Sequence, residues 1–158
     1  MFKILLFFFV IHSFIAAYSK PERNNKHYSD SKSFGIIIGE PTGFSYKQFD
    51  SYSFAWNLGL SWSFDDENSL YSHLDFLKHI DIHENELRDL KRTSIYYGIG
   101  FRVKFSDKTK LGGRFPFGIE FNFYEIPINV FFEIAPIFNI VPSTDFDLNG
   151  GFGIRYFF

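Results

Sequence analysis

The chain has 158 residues, 24 of them Phe, no Cys, and a formal net charge of −2. Without cysteine there is no disulfide framework, thiol nucleophile, thiolate metal site or lipid-modified N-terminus. A near-neutral charge with no basic run excludes nucleic acid as a partner, and the length suits one domain.

Residues 1–19 have the pattern of a signal peptide. Lys3 supplies the positive n-region and residues 4–15 the apolar h-region. Ala17 and Ser19 offer small residues at −3 and −1, which predicts cleavage after Ser19, with Ala17 as the alternative. The polar residues 20–32 then predict a flexible lead-in, and residues 33–158 the folded domain. No later segment is a run of ~20 apolar residues, so a spanning helix is excluded for the mature chain.

From Ser33 onward the sequence predicts eight strands. The first is SFGIIIG, 33–39. The turn EPTG leads to the second, 44–49, and 54–64 is the third. The acidic turn DDEN, with Asp65, Asp66 and Glu67, precedes the fourth, 69–79. Residues 80–91 look charged and non-alternating and predict a loop or a helical turn. The fifth strand starts at 95 (IYYGIGFRVKF) and joins the sixth (LGGRFPFGIEFNF) through the polar turn SDKT. The seventh spans 128–138. The loop NIVPSTD leads to the eighth, LNGGFGIRYFF. Pro116 and Pro136 fall inside strands and predict a bulge or a strand end.

Side chains alternate with period two along a strand, and these strands alternate without a break. Phe101, Phe117, Phe121, Phe132 and Ile134 share the greasy side. The other side carries glycine and full charge: Lys47, Arg102, Lys104, Arg114 and Arg155 against Asp75, Glu120 and Glu133. Apolar outside and polar inside is the code of a transmembrane β-barrel. Only a closed barrel or a helix satisfies every backbone polar group in lipid. The fold class expected is therefore all-β, an eight-stranded antiparallel up-and-down transmembrane barrel. An eight-stranded interior is filled by side chains. Charges there must be paired, which predicts a lumen ion-pair network of Asp75, Arg102, Lys104, Arg114, Glu120, Glu133 and Arg155. In it, Glu120 and Glu133 are expected to meet Arg102, Arg114 and Arg155. Glycines 59, 98, 100, 118, 151 and 153 are expected to make room.

The last strand alternates through Tyr156 to a final Phe158. This ending looks like the signal read by the bacterial outer-membrane assembly machinery. The stretches GIIIGEPTGFSYK, YYGIGFRVKF, LGGRFPFGIEF and FFEIAPIFNIVPSTDFDLNGGFGIRYFF resemble a family of small, functionally uncharacterised bacterial outer-membrane barrels, with spirochaete members, similar to the OmpA transmembrane domain. The resemblance spans most of residues 34–158. It implies a bacterial outer-membrane location, outer-membrane lipid and assembly machinery as partners, and no established activity. With both termini periplasmic, the turns EPTG, DDEN, SDKT and NIVPSTD face outward, and the longest loop, 80–91, is periplasmic.

Enzyme chemistry is not expected. Ser72 and His73 point to opposite faces, and nothing supplies an oriented base with oxyanion donors. His73, Asp75 and His79 share a face and offer metal-type ligands, but a hydrogen-bonded wet lumen is the simpler account. No metal and no cofactor is expected. The function expected is a monomeric structural or surface-interaction barrel, with a host or envelope protein as a partner for Asp65, Asp66 and Glu67. The alternatives are a narrow gated pore and, if the greasy face turned inward, a soluble lipocalin-like binder.

Overall fold

The computed structural model describes residues 30–63, 69–82, 91–123 and 125–158. The expected leader, most of the lead-in, and Asp65, Asp66 and Glu67 lie outside the described residues.

Nine strand segments follow one another: β1 (Lys32–Glu40), β2 (Thr42–Phe49), β3 (Phe54–Ser63), β4 (Ser69–Ile82), β5 (Lys91–Phe105), β6 (Lys110–Arg114), β7 (Phe117–Phe123), β8 (Ile128–Val141) and β9 (Asp145–Phe157). All pairings are antiparallel. β1 pairs with β9 as well as β2, and β4 pairs with β5, so the sheet closes on itself. Closure leaves no open edge.

β6 and β7 occupy one place in the ring. Both lie between β5 and β8, and β5 keeps a single register across them, with Gly100 opposite Arg114 and Tyr97 opposite Phe117. The ring thus has the eight positions expected, with the sixth strand broken at Phe115–Pro116. Proline has no N–H to give the ladder, and that breaks the segment. Pro136 behaves differently from expectation. It stays inside an unbroken β8, opposite Leu148. The register shift instead falls at Leu111/Gly112 against β8.

Two expected loops shrink. β4 runs on to Ile82 and β5 starts at Lys91. Residues 80–82 therefore belong to a strand rather than to the loop expected over 80–91; 83–90 lie outside the described residues. The alternation does continue there. Ile80 and Ile82 face outward, while Asp81 turns inward to Arg92, Ser94 and Tyr52. β8 likewise extends to Val141 and β9 begins at Asp145, which cuts the loop NIVPSTD down to 142–144.

The register also sets the tilt. Phe34, Tyr46, Leu58, Leu74, Phe101, Gly113, Phe138 and Phe146 are successive partners around the ring. Yet the β9 partner of Phe34 is Tyr156, ten residues beyond Phe146. A stagger of this kind is what tilts barrel strands against the axis.

The sidedness is as the alternation requires. Phe101, Phe117, Phe132, Ile134, Phe146 and Leu148 are exposed on the outer face, Phe101 at 68%. Lys47, Asp75, Arg102, Arg114, Glu120, Glu133 and Arg155 are buried at 3% or less. The inward-apolar arrangement of a lipocalin-like binder is therefore not the one this chain adopts. Apolar plugs share the interior with the charges: Phe49, Leu77, Tyr96, Phe131, Ala135 and Ile137.

Candidate functional site: the ion-paired lumen

The lumen is built in tiers because each inward residue sits at a depth set by its strand register. At the end bearing the chain termini, Arg92 donates from Nε to Asp81 Oδ1 at 2.7 Å and from NH2 to the Tyr52 carbonyl at 2.8 Å. Ser94 and Tyr52 donate to the same carboxylate. This ties the β2–β3 turn to β4 and β5.

The next tier crosses the barrel. Lys47 of β2 donates to Glu120 Oε2 of β7 at 2.5 Å. Its Nζ also lies 2.7 Å from His79 Nε2, and an ammonium only donates, so Nε2 is the acceptor. Asn122 donates to the other oxygen of the Glu120 carboxylate, Oε1, and Asn129 to the Oε2 that Lys47 also binds. The Lys47 ammonium lies 4.6 Å from the centre of the Tyr96 ring. A charge pair taken out of water survives only with such complete hydrogen bonding.

Arg155 comes next, with its guanidinium 3.6 Å from the Phe131 ring centre. It donates to Ser45, Asn129 and Asn57. Among the described residues no carboxylate lies within ion-pair distance of Arg155. Neutral oxygens and an aromatic face hold this cation instead.

The central tier is a triad. Arg114 bridges Asp75 of β4 and Glu133 of β8, the latter at 2.6 Å. Tyr96 donates its hydroxyl to Glu133 at 2.8 Å. Asn57 donates to Asp75 at 3.4 Å, and His73 Nε2 stands 3.6 Å from the same carboxylate. At the far end Arg102 binds Asp147, Asn139 and Asn149. At the rim Lys110 meets Asp145 at 2.5 Å.

Most of the charges expected in the lumen converge there, with three departures from the expected pairing, one of them Arg155, which meets amides and a hydroxyl instead of a glutamate. Glu133 meets Arg114 as expected. Glu120 meets Lys47 instead of an arginine, and Arg102 meets Asp147 instead of a glutamate. Lys104 is half-buried, with its ammonium 5.2 Å from the Tyr71 ring centre near the end away from the chain termini. Tyr156 and Phe158 keep their place on the outer side of the last turn of chain, where Phe158 N–H donates to the Lys32 carbonyl. His73, Asp75 and His79 share a face but not a centre. Asp75 is engaged by Arg114 and His79 by Lys47, and among the described residues no cluster offers a metal three such ligands. The residues the sequence reading did not assign are Lys47 as the partner of Glu120, Tyr96, Asp147 and the asparagines at 57, 122, 129, 139 and 149. Inward parity marks nearly all of them; partnership across the lumen does not follow from parity.

Two glycines show how tightly the lumen is filled. A Cβ on Gly118 would come within 2.3 Å of the Tyr96 ring, and one on Gly153 within 2.2 Å of the Phe131 ring. Gly118→Ala is expected to displace the Tyr96 hydroxyl from Glu133 and cost ~1–3 kcal/mol as overpacking. Urea unfolding of the refolded barrel measures this, and an unchanged midpoint would contradict the packing.

No family model and no curated protein matches the chain. One solved structure does. The crystal structure of the N-terminal β-barrel domain of Pseudomonas aeruginosa OprF superposes with a TM-score of 0.62. The match covers 82% of this chain and 98% of that one, at 13% sequence identity. Identity so low carries the fold and nothing finer. The shared feature is the β-barrel.

Proposed function

We propose that this protein is an integral outer-membrane barrel of a bacterium, held in lipid by its outer face, and that its lumen is a structural plug rather than a catalytic site. The observation that carries this reading is the inverted partition of side chains. Soluble monomers rarely expose contiguous apolar patches beyond a few hundred Å2. Here the outer face carries Phe101, Phe132, Ile134, Phe138, Phe146, Leu148 and Phe152 in the open, while arginine, lysine, aspartate and glutamate fill the inside. The likeness to an outer-membrane protein's barrel domain and the resemblance to small uncharacterised outer-membrane barrels agree with it. The role this supports is stabilisation of the envelope, with contacts to a host or envelope component made by the outer turns.

Cell fractionation tests the reading together with gel mobility before and after heating. The expected result is recovery with the outer membrane and a shift in mobility on boiling, as a closed barrel unfolds. Release as a water-soluble monomer would overturn it.

A further inference from the structure

Two prolines stand next to each other in the barrel wall. Phe115 N–H donates to the Pro136 carbonyl at 2.9 Å, and Gly98 N–H donates to the Pro116 carbonyl at 3.0 Å. In an antiparallel ladder such opposed pairs exchange two bonds. The return bond would need an N–H from Pro136 in the first pair and from Pro116 in the second, and proline has none. The wall therefore forgoes one bond on each side of the same dipeptide, Phe115–Pro116.

The short segment beyond this point is weakly secured in three further ways. Its register against β8 shifts between Leu111 and Gly112. Gly112 and Gly113 follow, and a Cβ on outward-facing Gly113 would meet nothing nearer than the Phe115 ring at 3.8 Å. β6 is five residues long and puts only Leu111 of its large side chains on the outer face, whereas β7 puts Phe117, Ile119, Phe121 and Phe123 there. What fastens its tip is the rim pair Lys110–Asp145, which reaches past β8 to β9.

We propose that the tip of β6, residues 110–113, is a flap latched by Lys110–Asp145 that swings away from β8, while Arg114 stays bound to Asp75 and Glu133 and, with Phe115–Pro116, forms the fixed base on which the flap bends. Opening uncovers the upper tier of the lumen, where Arg102 binds Asn139 and Asp147. The Lys47–Glu120 pair lies on β2 and β7, on the other side of the hinge, and stays shut. The barrel then exposes polar groups at one end without forming a through-channel.

Amide hydrogen exchange on the refolded barrel in detergent micelles, read by mass spectrometry, tests this. Residues 110–113 are expected to exchange at least ~10-fold faster than 117–123, the effect of losing about two ladder bonds. Lys110→Met should accelerate 110–113 several-fold further and leave 117–123 unchanged. Pro136→Ala, which restores an N–H opposite Phe115, should slow 110–113. Equal protection of the two segments would overturn the proposal. So would equal loosening of residues 145–149, which also reach the rim at Lys110, because that marks fraying of the rim rather than a hinge.

Discussion

Arg114→Met is expected to destabilise the barrel by ~3–5 kcal/mol, the usual cost of removing one member of a buried ion pair. Arg114 is the single cation between Asp75 and Glu133, both essentially without solvent contact. Its loss leaves two carboxylates facing each other in a space where Tyr96 and Asn57 supply only neutral donors. Equilibrium unfolding in urea, followed by gel mobility without heating, measures the loss. The triple variant Arg114→Met, Asp75→Asn, Glu133→Gln should recover most of it, because removing all the charges removes the desolvation problem along with the attraction. A single variant as stable as the parent would mean that the triad contributes nothing to the fold.

Ile134→Arg is the second large effect. Ile134 lies near the middle of β8 on the outer face, 45% exposed, opposite Phe117 and Gly150. If that face meets acyl chains, an arginine there costs ~2–4 kcal/mol near the bilayer midplane. Ser143→Arg, in the exposed turn between β8 and β9, should stay within ~0.5 kcal/mol, as surface changes do. Refolding into lipid vesicles separates the two. An Ile134→Arg barrel that inserts as readily as the parent would place that face in water and sink the membrane reading.

Composition misleads where it runs against the period. Residues 80–82 look like a charged loop because Asp81 and the residues that follow are polar. Yet Ile80 and Ile82 keep the outward phase, and Asp81 finds three donors inside. Pro116 and Pro136 looked alike in sequence. Only the first ends a strand: each keeps its carbonyl in the ladder, but Pro116 is buried on the lumen side whereas Pro136 holds an outward position on β8. The glycines at 59, 118 and 153 were legible as space-makers, but not which ring each admits.

Period two is a local property of the extended backbone, so the order of residues alone determined which side chains face in and which face out. It also determined that the ring has eight places. Which lumen charges meet is not local. Lys47 and Glu120 lie 73 residues apart and touch only because the stagger between strands brings them to the same depth on facing walls. Arg102 lies nearer the rim and takes Asp147, while Arg155 is left to amides, a hydroxyl and an aromatic face. Depth in a tilted barrel is the accumulated sum of every strand register, and only the closed structure supplies it.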